Sequence, residues 1–102
     1  MELEGLKLVG LVTGETVVAI LKMKDETLLF QKAIAFVPQA TPQGYVMAMS
    51  PQWPAVNSEN HDVEVFKDKI LYVMEPSDKI KEAHQAAFSQ VIMPSSKLIM
   101  PN

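Results

Sequence analysis

Residues 11–30 read LVTGETVVAILKMKDETLLF, and their pattern of apolar runs and short turns decides the fold. Gly14 can adopt the positive φ that a tight hairpin turn needs, so it predicts a turn between two strands. Residues 15–22 (ETVVAILK) place apolar side chains on both faces, which predicts a strand that is covered on two sides. The polar residues 24–26 predict the next turn. This segment therefore indicates an antiparallel sheet built from consecutive hairpins.

The strand pattern continues on both sides of this segment. Upstream, residues 7–13 (KLVGLVT) are rich in strand formers and predict the first strand. Downstream, residues 27–37 (TLLFQKAIAFV) form a long apolar run. The polar pair Gln31 and Lys32 interrupts this run, which predicts a bend in the middle of the third strand.

The middle of the chain predicts loops around shorter strands. Residues 38–44 (PQATPQG) are rich in turn-forming residues and predict a connection, which leads into a short strand at 45–49. A polar loop at 57–62 precedes a second compact hairpin at 63–74, whose turn reads KDK. The loop that contains Trp53 is a candidate surface for protein contacts.

The last quarter of the chain predicts a helix followed by a tail. Ser77 or Asp78 can serve as the N-cap, and Pro94 ends the helix. Within the tail, residues 97–100 (KLIM) are a candidate for adding a strand to their own sheet or to a neighbour's. Apolar side chains recur at helical spacing and form one stripe that consists of Ile80, Ala83, His84, Ala87, Phe88 and Val91.

These elements predict a mainly β fold, a small and strongly bent five-stranded antiparallel sheet or open barrel with a C-terminal α-helix. The chain has 102 residues, of which 48% are hydrophobic, enough for one domain with one core. We expect residues 1–75 to form the β domain and residues 76–102 to form a helix and tail that pack on the same domain.

The composition excludes several classes of function. The chain contains no cysteine, so it has no disulfides, thiolate metal sites or thiol nucleophiles. Its net charge is −3 and its nine basic residues are all lysine. Because arginine is the usual residue for bidentate phosphate and base contacts, this balance is unfavourable for a nucleic-acid binder. Such a role would require a local patch or an assembled surface.

No group of residues predicts catalysis. The two histidines, His61 and His84, lack a partner at a convincing spacing. We interpret His84, on the helical stripe, as a packed or interface residue and His61 as part of a solvated loop. Glycine-rich phosphate loops and paired carboxylates are also lacking. We therefore expect no enzymatic activity, no cofactor and no metal site.

Targeting signals and membrane segments are not predicted either. Residues 1–4 (MELE) are acidic, whereas a targeting segment begins with basic residues. The apolar runs are far shorter than the roughly 18 residues that a membrane-spanning helix needs. We expect a cytoplasmic protein without a membrane partner.

The segment quoted first resembles the first signature of Sm and Sm-like (LSm) proteins. In that signature a hairpin glycine is followed by a small residue, a leucine, an aspartate in a turn and a hydrophobic residue. Gly14, Ala19, Leu21, Asp25 and Leu28 stand at these positions. The resemblance implies an SH3-like open barrel in which the small residue allows the sheet to bend sharply.

The second signature is only partly present. Residues 63–73 (VEVFKDKILYV) look like the last two strands of the family. Phe66 and Lys67 stand where the family has Arg-Gly or Lys-Gly, and Leu29 stands where it has asparagine. The replaced residues are those that grip a base in Sm proteins, so the resemblance supports the fold more than RNA recognition.

Two further features depart from the family. Its domains begin with a helix, whereas this chain has its helix at the end, and residues 38–62 form a long insertion before the last strands. With these departures the chain resembles the divergent Sm-like proteins carried by marine phages (cyanophages). That resemblance implies a location in the host cytoplasm.

The resemblance leaves two functions open. The first is a closed homo-oligomeric ring of about five to seven copies, joined by pairing strand four to strand five, that binds single-stranded RNA at its pore. Lys24, Lys67 and Lys69 are then candidates for phosphate contacts, and Asp25 for a turn organiser or base acceptor. The second is a structural or adaptor protein of a phage particle or protein assembly, without nucleic-acid binding.

Overall fold

The computed structural model describes residues 2–92. They form an antiparallel sheet in the order β4-β3-β2-β1-β6, with β5 paired to β3, and the sheet is not closed. The predicted fold class, a bent, mainly β sheet with a C-terminal helix, is confirmed. The strands are β1 (Gly5–Leu11), β2 (Thr16–Met23), β3 (Thr27–Thr41), β4 (Gly44–Ser50), β5 (Val63–Phe66) and β6 (Ile70–Met74); a 3-10 turn spans Lys67–Lys69 and helix α1 spans Asp78–Ile92.

The two turns of the opening segment form as the sequence predicts. Gly14 has a φ of +93°, and its N–H donates a hydrogen bond to the Leu11 carbonyl at 2.9 Å. The Lys24 N–H donates to the Thr27 carbonyl at 3.1 Å and closes the turn between β2 and β3. These turns fix the register of β1, β2 and β3, so Val17 and Ala19 are buried on one face of β2 and Val18 on the other.

The predicted bend in β3 is confirmed and has a defined geometry. Val18 pairs with Ile34, but Ile20 pairs with Gln31, so β3 carries one extra residue opposite Ala19. Lys32 lies at this β-bulge with a φ of +52°, in the left-handed region that lysine rarely adopts. The fully buried Ala19 side chain is small enough to lie under the bend.

Both β4 and β5 pair with the edge of β3 that faces away from β2. Met49 of β4 pairs with Phe36, and Val65 of β5 pairs with Leu28. The loop at residues 51–62 separates the two strands. The sheet therefore has six strands where five were expected, because β4, which lies in the expected insertion before the fourth strand, is part of the sheet.

The prediction of a turn-rich connection at residues 38–44 is wrong. Pro38 lies within β3 and pairs with Met47, and only residues 42–43 lie between the paired Thr41 and Gly44. Pairing between β2 and β3 ends at Phe36, so the remainder of β3 has a partner on one side only. A proline is tolerated there because an edge strand does not need every N–H for the sheet.

The prediction of a second compact hairpin at residues 63–74 is also wrong. The strands β5 and β6 do not pair with each other, since β5 pairs with β3 and β6 pairs with β1. The 3-10 turn redirects the chain between them. The Lys67 N–H donates to the Glu26 carbonyl at 3.1 Å, and the Val12 N–H donates to the Lys69 carbonyl at 2.9 Å.

Trp53 itself is a core residue, whereas other residues of its loop, such as Val56, are exposed, so the loop as a surface for protein contacts stays a prediction. Its ring lies 5.6 Å from the Phe30 ring, and its Nε1 donates to the Glu15 carboxylate at 3.1 Å. Burying an indole contributes more to stability than exposing it, provided that its N–H has a partner. The core around it consists of Val9, Leu11, Val17, Ala19, Leu21, Leu28, Phe30, Ala33 and Ala35.

Helix α1 begins at the predicted cap and packs by the predicted stripe. The Ser77 hydroxyl accepts a hydrogen bond from the Ile80 N–H at 3.3 Å, which identifies Ser77 as the N-cap. His84 and Phe88 are buried, and the His84 Nε2 donates to the Lys32 carbonyl at 2.8 Å. His84 is therefore a packed residue, as interpreted from the sequence. Three of the predicted features lie outside the part of the chain that the structure describes. They are the side chain of Val91, the end of the helix at Pro94 and the tail segment 97–100.

The His84 contact makes stability depend on pH. Burial lowers the pKa of His84 below its ordinary value of 6.5, because the desolvated imidazolium is disfavoured; the hydrogen bond to the Lys32 carbonyl opposes this shift, and the nearby Lys32 charge adds to it. As the pH falls below 6.5, the unfolded chain binds a proton that the folded chain excludes. We expect the free energy of unfolding to decrease between pH 7.5 and 5.5.

Urea denaturation across this range checks the expectation. His84→Gln keeps an N–H donor but cannot titrate, so it should remove most of the decrease, whereas His61→Gln on the exposed loop should not. An identical pH dependence in wild type and His84→Gln would contradict the assignment.

Candidate nucleic-acid interface

The four candidate residues lie on two turns that the structure brings together. The Lys67 Nζ donates a hydrogen bond to the Asp25 carbonyl at 3.1 Å, next to the backbone bond from the Lys67 N–H to the Glu26 carbonyl. Lys24 begins the turn that contains Asp25. We call residues 24–26 and 67–69 the turn rim. Asp25 makes this contact through its backbone carbonyl, and its side chain is left exposed to solvent.

Lys69 lies at the other end of the 3-10 turn. Its carbonyl accepts the Val12 N–H, which places it beside the turn between β1 and β2. In a flat sheet the turns at the two ends of β2 would lie far apart. The strong bend of the sheet brings both turns to the same 3-10 turn, so Lys67 and Lys69 lie between them.

The charges of the turn rim are balanced. Its lysines, Lys24, Lys67 and Lys69, are matched by an equal number of acidic residues, Asp25, Glu26 and Asp68. Among the side chains that the structure describes, none of these lysines forms an ion pair with a carboxylate. Their ammonium groups therefore keep donors for phosphate oxygens, while the adjacent carboxylates limit the anion affinity of a single copy.

Lys7 has a different role from the lysines of the turn rim. It is buried, and its ammonium donates a hydrogen bond to the Glu75 carboxylate. That hydrogen bond lowers the pKa of Glu75 below its ordinary value. Because a buried ammonium needs its partner, this lysine is structural.

Phe66 is a candidate that the sequence analysis missed. It is 60% exposed and lines a shallow depression together with Glu26, Lys67 and Asp68. An exposed aromatic ring beside lysines is a platform on which an unpaired base stacks. The alternation of β5 identifies it, since Val63 and Val65 pack against the core and the side chain of Phe66 points outward.

Leu29 stands at the position that asparagine occupies in the Sm-like signature, and its side chain has no polar group that could hydrogen-bond to a base edge. Leu29 is half-buried and pairs with Glu64. The Glu64 carboxylate accepts a hydrogen bond from the Thr27 hydroxyl at 2.9 Å. The lysines of the turn rim and the neighbouring Phe66 therefore offer groups for phosphate attraction and stacking, which do not depend strongly on sequence, while the exposed Asp25 carboxylate stays the predicted base acceptor.

The remaining polar groups do not assemble a second site. The His61 Nε2 lies 3.1 Å from the Glu59 carboxylate in an exposed loop. Within residues 2–92 no cluster of three or more His, Cys, Asp or Glu side chains is placed to hold a metal ion. The described helix is too short and too polar to cross a membrane.

No family model matches the chain, and no curated protein matches it in sequence. The Sm-like resemblance and the phage origin therefore remain predictions from the residues quoted above.

The contact between Lys67 and Asp25 is exposed, so its removal should cost little. We expect Lys67→Met to lower the free energy of unfolding by no more than about 1 kcal/mol, since the backbone bond to Glu26 remains. Urea denaturation measures this. A loss of more than about 3 kcal/mol would show that the Lys67 side chain holds the two turns together.

Proposed function

We propose that this protein forms a closed homo-oligomeric ring that binds single-stranded RNA at its turn rim. The contact between Lys67 and Asp25 carries this proposal, because it joins the two lysine-bearing turns on one side of the domain. A module of this kind carried by a marine phage would act in the host cytoplasm.

The free edges of the sheet support self-assembly. In the described part of the chain, β5 and β6 each pair on one side only. Both expose a large apolar side chain, since Phe66 is 60% and Leu71 is 66% exposed. Unpaired strand edges are templates for another strand. Pairing β5 of one copy with β6 of the next uses both edges, and a suitable rotation between copies closes a ring. These are the edges predicted for ring closure.

Repetition around a ring explains how a charge-balanced rim acquires affinity. About five to seven copies would place as many turn rims on one face. A flexible strand can then contact several lysines and Phe66 rings at once, so weak individual contacts add up. Single-stranded RNA fits this arrangement because its unpaired bases are free to stack.

An oligonucleotide titration tests the proposal. Fluorescence anisotropy with U-rich and A-rich RNA should show binding by the assembled protein that weakens as salt increases. Replacing Lys24, Lys67 and Lys69 with methionine should reduce the affinity by about tenfold or more, since each lysine lost removes a phosphate contact.

The matched control is Lys79→Met with Lys81→Met, which removes charge from the exposed face of α1. It should change the affinity by less than about twofold. An equal loss in the control, or binding that is insensitive to salt, would contradict the assignment of the turn rim.

A structural or adaptor role without nucleic acid is the second candidate. It is favoured by residues 33–58, which carry no charged side chain, and by the balanced charges of the turn rim. Assembled protein that does not bind RNA in the same titration would support this second candidate.

A further inference from the structure

The far part of the β3–β4 hairpin extends beyond the rest of the sheet. After Phe36, β3 pairs only with β4, because β2 begins at Thr16, opposite that residue. We call residues 36–50 the arm. It lies within residues 33–58, the segment that contains no Asp, Glu, Lys or Arg.

One face of the arm is entirely apolar. Directly paired residues share a face of a sheet, and Tyr45, Met47 and Met49 pair with Ala40, Pro38 and Phe36. Tyr45 is 79% and Met47 is 58% exposed. We call this set the apolar arm face; its members are Phe36, Pro38, Ala40, Tyr45, Met47 and Met49.

The size of this face is unusual for a surface exposed to water. At about 150 to 250 Å² for a large side chain, it exposes on the order of 500 Å² of apolar area. That is near the upper end of the patches found on soluble monomers, which are often functional. A two-stranded ribbon is also only marginally stable by itself in water.

We infer that the apolar arm face packs against the same face of a second copy of this chain. Two copies would together bury about 1,000 Å², which reaches the lower limit for a specific interface. The same patch on both partners is the requirement for a two-fold contact. Tyr45 and Met47 of β4 lie beside the smaller Ala40 and Pro38 of β3, so each copy presents large side chains as well as space for those of its partner.

Charge favours this occupant over others. Each copy carries a net charge of −3, and the arm is a surface through which two such copies can approach without bringing charged groups together. A nucleic acid would find no cation there, and a charged protein segment would lose hydration without gaining a partner.

This contact is independent of the proposed function, because it uses neither the turn rim nor the edges of β5 and β6. It joins two monomers if the chain forms no ring, and two rings if it does. In either case the native particle contains twice the mass that it has without the arm contact.

Native mass spectrometry and analytical ultracentrifugation of the full chain test the inference. Met47→Lys places a charge in the proposed contact and should halve the native mass, and Tyr45→Lys should do the same. The matched control is Val56→Lys, since Val56 is 89% exposed in the same uncharged segment but outside the arm, and it should keep the wild-type mass. Circular dichroism establishes that each variant is folded.

An unchanged mass in folded Met47→Lys and Tyr45→Lys overturns the inference, and the face is then covered by another protein or by residues 93–102. Leu71→Lys separates this result from failure of the ring. It should reduce a ring-based particle to dimers joined by their arms, whereas a mass unaffected by Leu71→Lys contradicts the ring alone.

Discussion

The hydrogen bond from the His84 imidazole to the Lys32 carbonyl joins α1 to the point at which β3 bends. Elsewhere in β3, pairing with adjacent strands supplies partners for the backbone groups, but the bulge opposite Ala19 interrupts the ladder there. The buried imidazole supplies a partner for this carbonyl. The bend and the packing of the helix therefore depend on each other.

The bend also separates the two surfaces to which we assign roles. Before Lys32, β3 pairs with β5, which leads directly into the 3-10 turn and the turn rim. After Lys32, β3 leaves β2 at Phe36 and continues into the arm. Charged side chains are concentrated at the first surface and lacking at the second. The polar surface at one end of this long strand is suited to binding an anion. The apolar surface at its other end is suited to packing against a second copy of the chain.

Local signals in the sequence predicted the elements whose causes are local. Gly14 marked its turn, the Gln31 and Lys32 pair marked the bend, and the helical spacing around His84 marked the buried stripe. The errors concern partners that are distant in sequence. Whether Pro38 lies in a strand depends on where β2 begins, and the burial of Trp53 depends on Phe30 and Glu15. At the candidate site, the lysines were evident from their turns. The alternation of β5 marks Phe66 as outward-facing, but its place beside the turn rim depends on the pairing of β5 with β3.

The conformation of Lys32 is the most direct test of this account. We expect Lys32→Gly to equal or exceed the stability of the wild type, because glycine adopts a positive φ without steric cost. Lys32→Val should lower the free energy of unfolding by about 1 to 3 kcal/mol relative to Lys32→Gly, since a β-branched residue is strained there. Both variants lose the same ammonium, so urea denaturation of the pair isolates the backbone. Equal stability, or a more stable valine variant, would contradict a bend at Lys32 and the account built on it.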